Sequence, residues 1–381
     1  DLRTGEVSIG EPIDVQVSLR FAHPEGVGKA SAKARLNYDL SAARVSAENL
    51  ELSTELEAQA LGAGMTSAKI TGAVSWDNAA QQAIAKALKF AVSGPIELNG
   101  AGDIDLRLKE QTVSSPDLQL QVQNLRHGTT AVAVQMNSNV AVNLVSSQLA
   151  LTGLRGNAQL SGGPIKGGAL PLSFGGDVTA DLPAQWVQIA NLKLSAEGLN
   201  LTGDVRAESI TDSPVFTGTV AAPQFALDKL LARARVTLPA TRDPKVLKSA
   251  AFSGKFKFDG KRLSVAPANL ELDDNTFRGT FAAATDGALA FDLTAERLNV
   301  DRYLPATAPG APPPAAVGAL PVAALRTLDI DGSVKIGSLR YSGLDLENVR
   351  VGINAKDSQL RLSPLQANLY SGSYKGNMSS A

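Results

Sequence analysis

Apolar residues occupy every second position through successive short runs in the C-terminal part of the chain. Phe256 and Phe258, then Leu289, Phe291 and Leu293, keep this alternation, and Gly, Asp or Asn residues separate the runs. A period of two predicts β-strands that have one apolar face and one polar face. Similar short runs at regular spacing recur through the N-terminal half, so the whole chain is predicted to be all-β.

Three short segments depart from this pattern and predict helices, at residues 77–90, 226–235 and 243–251. In the first of them, Ile84, Ala87 and Leu88 would lie on one side of a helix. Three short helices cannot cover a large sheet, so the predicted fold is an elongated, curled antiparallel sheet that forms an apolar trough. A closed β-sandwich is the alternative, because a period of two does not say what meets the apolar face.

A proline-rich stretch interrupts the strand pattern at residues 304–321, with the sequence LPATAPGAPPPAAVGALP. Proline has no N–H group to donate to a β-ladder, so these residues are predicted to form an extended loop. The alternation resumes at residues 326–337, which favours a loop inserted in a continuing sheet. We therefore divide the chain into an upstream β-rich region, residues 1–212, and a second β region, residues 213–381. The upstream region either continues the trough or forms a separate lobe.

Composition argues against an enzyme and against a nucleic-acid partner. The 36 Lys and Arg residues and 37 Asp and Glu residues are scattered, with a net charge of −1, so no basic stripe is present. The chain has no Cys, and its two histidines, His23 and His127, are far apart in sequence. This composition removes thiol chemistry and disfavours a metal site or a Ser-His-Asp triad. No cofactor, metal site or catalytic set is predicted.

Residues 213–376 resemble the middle of the AsmA family. The likeness is carried above all by LNVDRYLP at residues 298–305 and LQANLYSGSYKG at residues 365–376, in this order and on either side of the proline-rich loop. The resemblance implies a bacterial envelope protein that projects into the periplasm from an anchor in the inner membrane. It also implies an apolar β-trough linked to phospholipid movement and outer-membrane biogenesis. The sequence contains no anchoring helix, so attachment is expected through an N-terminal segment outside it.

The predicted function is that of a periplasmic segment of an AsmA-like bridge protein. It would bind the acyl chains of phospholipids and support phospholipid transport to the outer membrane and the biogenesis of that membrane. Five phenylalanines are predicted to line the trough: Phe256, Phe258, Phe277, Phe281 and Phe291. The alternative is a structural scaffold or assembly factor for outer-membrane proteins, with a closed β core and no lipid conduit. Unpaired edges of an open sheet are expected to promote self-association.

Overall fold

The chain folds into two compact units, Asp1–Glu197 and Gly198–Ala381. Strands account for 79% of the residues and helix for 3%, which confirms the predicted all-β fold with an open, curled antiparallel sheet. The division predicted after residue 212 falls in a turn of the second unit. The computed structural model describes residues 2–5, 11–23, 26–56, 67–162, 165–233, 240–305, 329–356, 359–370 and 372–380.

The first unit is an antiparallel sheet in which each strand pairs with the next strand along the chain. This order follows from short turns between strands, because a hairpin can join only antiparallel neighbours. Its described strands are β1 (Leu2–Thr4), β2 (Ile13–His23), β3 (Gly26–Asp39), β4 (Arg44–Leu56), β5 (Ser67–Asp77), β6 (Gln82–Ser93), β7 (Glu97–Arg107), β8 (Thr112–His127), β9 (Thr130–Asn143), β10 (Gln148–Gly162), β11 (Ile165–Asp181) and β12 (Trp186–Ala196).

The second unit also pairs its strands in chain order. A short α-helix, α1 (Leu227–Arg233), and a turn of 3₁₀ helix, Val300–Arg302, lie between strands. The described strands are β13 (Leu199–Glu208), β14 (Val215–Ala226), β15 (Ser249–Phe258), β16 (Arg262–Leu272), β17 (Asn275–Ala284), β18 (Ala288–Asn299), β19 (Asp329–Tyr341), β20 (Leu344–Lys356), β21 (Gln359–Leu369) and β22 (Gly372–Ser380).

One pair of strands in the second unit, β18 and β19, is parallel, whereas the other strand pairs of this unit are antiparallel. Ala288 lies opposite Asp329, and Asn299 lies opposite Arg340. A parallel pair requires a crossover connection that returns the chain to the start of the neighbouring strand. The proline-rich stretch belongs to this connection, and the predicted loop lies outside the described residues from residue 306 onwards.

Only one of the three predicted helices is present, namely α1, within residues 226–235. The helix predicted at residues 77–90 is wrong, because most of that segment belongs to strand β6. A bulge at Ala87, where φ is 48°, shifts the register of β6. Ile84 lies opposite Asp105 and Leu88 lies opposite Gly102, so these two side chains project from opposite faces of the sheet. The spacing of four residues that suggested one helix face spans a bulge instead.

The helix predicted at residues 243–251 is also wrong. Its first six residues form a turn, and β15 begins at Ser249. The Asp243 carboxylate accepts a hydrogen bond from the Lys245 backbone N–H at 2.9 Å. Asp favours such local turns, which compete with helix formation.

The segment that follows β18 forms hydrogen bonds to several turns of the second unit. Arg302 donates from Nε to Asp243 at 2.8 Å and from Nη1 to both carboxylate oxygens of Asp274, at 2.7 and 2.8 Å. Asp301 accepts hydrogen bonds from the backbone of the turn after β19. The LNVDRYLP sequence therefore has a structural role in joining turns that are distant in sequence.

Tyr303, in the same segment, forms a small, partly buried hydrogen-bond network. Its hydroxyl donates to Asp273 at 2.9 Å and accepts from the Asn275 amide at 2.8 Å, and Asn275 is 6% exposed. Burial raises the pKa of Tyr303, and the hydrogen bond to Asp273 raises it further. Burial alone would raise the pKa of Asp273, but hydrogen bonds from the backbone N–H groups of Leu247 and Lys248, among others, lower it below its usual value.

The Asp273 carboxylate should make the second unit sensitive to acid. A carboxyl group whose pKa is lower in the folded state stabilises that state above its usual pKa, and this contribution disappears as pH falls through the folded-state pKa. As pH is lowered from about 5 through the ordinary Asp pKa and below it, the wild-type melting temperature should therefore fall by more than that of Asp273→Asn, which has already lost the carboxylate.

Thermal unfolding followed by circular dichroism across this pH range tests the prediction. Asp331→Asn, which removes an exposed carboxylate from β19, is the matched control and should keep the wild-type acid response. Parallel pH profiles for wild type and Asp273→Asn would contradict the assigned role.

Candidate functional site

Strand register in the second unit brings the predicted phenylalanines onto one face. Phe256 lies opposite Val265, Val265 lies opposite Phe281, and Phe281 lies opposite Phe291. Residues directly opposite each other on adjacent strands project to the same side of a sheet. These residues therefore form one continuous apolar row across β15 to β18.

The remaining two predicted phenylalanines lie on the same face. Phe258 is opposite Phe216, and the two ring centroids are 6.2 Å apart. Phe277 shares the parity of Phe281 within β17, and it lies opposite Leu270. Lys257 alternates with them and is exposed on the other face. We call the side that carries these phenylalanines the apolar face of the second unit.

Part of this apolar face is closed by its own side chains. Ile330, Leu360 and Leu362 are 7%, 4% and 8% exposed, and Leu289 and Phe291 pack against them. These residues come from β18, β19 and β21, which are neighbours or near neighbours in the same sheet. The C-terminal strands thus bury much of their apolar surface within one layer.

The first unit also has an apolar face, and its early strands leave this face open. Leu52 lies opposite Ile70, and these side chains are 37% and 38% exposed. Among the described residues of the chain, no large side chain is completely buried. We define the exposed apolar patch by five side chains of β2 to β5: Leu19, Phe21, Leu36, Leu52 and Ile70.

The exposed apolar patch was absent from the predicted site residues. The signal for it is present in the sequence, because β2 alternates strictly from Ile13 to Phe21. The facing positions of β3 carry small residues, and Leu19 lies opposite Ala30. Alternation alone predicts the face, but only the register shows that small partners leave these side chains uncovered.

Phenylalanine rings on the apolar faces lie over glycines of the neighbouring strand. An added Cβ would lie 2.0 Å from the Phe90 ring at Gly100, and 2.5 Å from the Phe291 ring at Gly332. The rings therefore cover the backbone and give the sheet a smooth apolar surface. The pairs in direct register are Phe21 with Gly28, Phe90 with Gly100, Phe174 with Gly156, and Phe291 with Gly332.

Other kinds of site receive no support from the described residues. No three His, Cys, Asp or Glu side chains within them lie close enough together to hold a metal ion. No helix in the described part of the chain has the length and apolarity needed to span a membrane. Comparison with protein-family models, with curated proteins and with solved structures gives no match for this chain.

The packing of Phe291 over Gly332 predicts a specific coupling between these positions. Gly332→Ala should lower the free energy of unfolding by about 1–3 kcal/mol, because its methyl group must displace the ring. Combining it with Phe291→Leu should cost less than the sum of the two single changes, since the smaller side chain makes room. Chemical denaturation of the four proteins measures this coupling.

Gly372→Ala is the matched control, because an added Cβ there has no atom nearer than 3.8 Å. It should change the free energy of unfolding by less than about 1 kcal/mol. Strict additivity of the Phe291 and Gly332 substitutions would contradict the packing.

Proposed function

We propose that this chain binds phospholipid, with acyl chains lying along the apolar face of the sheet. The exposed apolar patch is the observation that carries the proposal. Soluble proteins rarely leave a large contiguous apolar patch in water unless the patch binds something. Each acyl CH₂ group removed from water contributes about 0.8 kcal/mol, so an extended chain lying on this surface would be held firmly.

The shape of the surface supports acyl chains over a compact ligand. An acyl chain needs a long apolar strip without polar interruptions, and the strand register gives such rows across successive strands. Rings that lie over glycine, such as Phe21 over Gly28 and Phe90 over Gly100, keep the strip free of large projections. The charged side chains of the same strands, such as Lys69 and Lys89, lie on the opposite face and leave the strip uncharged.

The likeness to the AsmA family supplies the biological setting of the proposal. In this setting the chain is a periplasmic segment of an AsmA-like bridge protein, attached to the bacterial inner membrane through an N-terminal anchor. It supports phospholipid transport to the outer membrane, and so the biogenesis of that membrane, without changing the lipid chemically. In the second unit, the five phenylalanines Phe256, Phe258, Phe277, Phe281 and Phe291 would contact acyl chains on the apolar face of that unit.

A scaffold function is the second candidate, and one observation favours it. Within the described part of the chain, strand β22 pairs with β21, and the backbone groups on its other edge are of the kind that pair with a further strand. Strand addition at such an edge would join the chain to a second copy or to another protein. Strand addition at this edge requires neither the closed β core expected of a scaffold from the sequence nor the exposed apolar patch.

Lipid content of the purified chain tests the proposed function. Wild-type protein expressed in a bacterial periplasm should carry phospholipid that organic extraction and mass spectrometry detect. Leu19→Asp should lower the bound lipid by roughly tenfold or more, because an unpaired charge against acyl chains costs several kcal/mol. Leu19 is 58% exposed, so the fold should tolerate the change.

Gln16→Asp is the matched control, since it introduces the same charge on the opposite face of β2. It should keep the wild-type lipid content, and melting curves of both variants establish that they are folded. If wild-type protein carries no phospholipid and takes none up from labelled vesicles, the lipid proposal fails and the scaffold candidate replaces it.

A further inference from the structure

The polar face of the first unit contains a groove of about 1050 Å³ that crosses seven strands, from β5 to β11. Its walls are two rows of side chains, each built from residues directly opposite one another on adjacent strands. In one row Gln121 lies opposite Gln135, and in the other Gln119 lies opposite Asn137. We call this feature the polar groove.

The polar groove lies on the side of the sheet opposite to the apolar face. Phe90 and Phe174 contribute only backbone to it, because their rings lie over Gly100 and Gly156 on the apolar side. The groove is therefore independent of the surface proposed to hold acyl chains.

Carboxamides dominate the side chains along the polar groove. Each carboxamide offers two N–H donors and one acceptor oxygen, a combination that matches hydroxyl groups, which both donate and accept. Because the rows keep register, a carboxamide recurs on successive strands. Six of them line the groove: Asn99, Gln119, Gln121, Gln135, Asn137 and Asn157.

The charged side chains that line the polar groove are all positive. Lys69, Lys89 and Arg155 line it, and no carboxylate does so among its described lining residues. Lys69 is paired with Glu51, which lies outside the groove. Arg155 donates from Nε to Asn137 at 2.9 Å, and Lys89 has no ion pair within the described part of the chain. An occupant is therefore expected to carry negative charge.

The shape and lining select among anionic ligands. Seven strands spaced about 4.8 Å apart span about 29 Å, which suits a linear molecule with repeated groups. Single-stranded nucleic acid is disfavoured, because it is normally held by aromatic side chains that stack on its bases, and the groove presents none. Repeated hydroxyl groups together with acidic groups are the chemistry of an acidic oligosaccharide.

We propose that the polar groove binds a linear anionic glycan. Its acidic groups lie against Lys89 and Arg155, and its hydroxyl groups exchange hydrogen bonds with the carboxamide rows. The apolar face and the polar groove would then hold different molecules on the two sides of one sheet. The glycan proposal does not depend on the lipid proposal.

Titration calorimetry on the full chain at moderate ionic strength tests the glycan proposal. Oligogalacturonate is the probe, its methyl ester is the uncharged counterpart, and inorganic polyphosphate reports on charge alone. Oligogalacturonate should bind, and its methyl ester should bind at least roughly tenfold more weakly because it loses charge-assisted hydrogen bonds. Replacing both cations, in Lys89→Gln with Arg155→Gln, should weaken oligogalacturonate binding by a similar factor or more.

Two further variants separate the contributions. Lys257→Gln removes an exposed cation from the second unit and should leave binding unchanged. Gln121→Ala with Gln135→Ala should weaken oligogalacturonate binding while sparing polyphosphate. Absence of oligogalacturonate binding, or equal loss of both probes in the carboxamide variant, would overturn the proposal. Lipid content measured on the same samples should not change, so failure here is distinct from failure of the lipid proposal.

Discussion

A sheet with one apolar face must place that face against something other than water, and this constraint governs the structure of the chain. In the second unit the solution is local, since residues such as Ile330, Leu360 and Leu362 bury one another within a single layer. The early strands of the first unit do not bury their apolar side chains in this way, and Leu19, for example, is 58% exposed. There the proposed acyl ligand would cover the apolar side chains that the protein leaves exposed.

The polar face is ordered by a different set of interactions. Bulges leave backbone N–H groups without ladder partners, and aspartates accept from them: Asp103 from Ala87 and Asp177 from Gly153, each at 2.8 Å. These hydrogen bonds hold the pKa of both carboxyl groups below its usual value; for Asp103 the Lys86 side chain contributes most. Bulges bend strands and increase their twist. The aspartate hydrogen bonds that hold the bulges in place therefore stabilise the curvature of the sheet.

Much of the fold follows from alternation in the sequence, because a period of two specifies both strand and face. Parity alone assigned Phe277 and Phe281 to one side of β17, and the register agrees. Helix prediction failed at residues 77–90 because the positive-φ bulge at Ala87 leaves no mark in residue type. The parallel pairing of β18 with β19 was missed because alternation carries no information on strand direction.

The functional surfaces were less predictable, since they depend on which residues face each other across strands. Phe90 and Gly100 are ten residues apart, and nothing in their sequence context shows that the ring covers the glycine. The carboxamides of the polar groove are likewise scattered singly along the chain, as Gln121 and Gln135 illustrate. Register gathers them into rows, and register is set by bulges and turns that hydropathy does not reveal.

The central claim is that lipid, rather than protein, covers the apolar face. A photoreactive benzoylphenylalanine placed at Leu52, and separately at Glu51 on the opposite face of β4, tests this most directly in living bacteria. After irradiation, mass spectrometry of the purified protein should find phospholipid attached at position 52 and none at position 51. Attachment of another protein at position 52, or lipid attachment at both positions alike, would contradict the account.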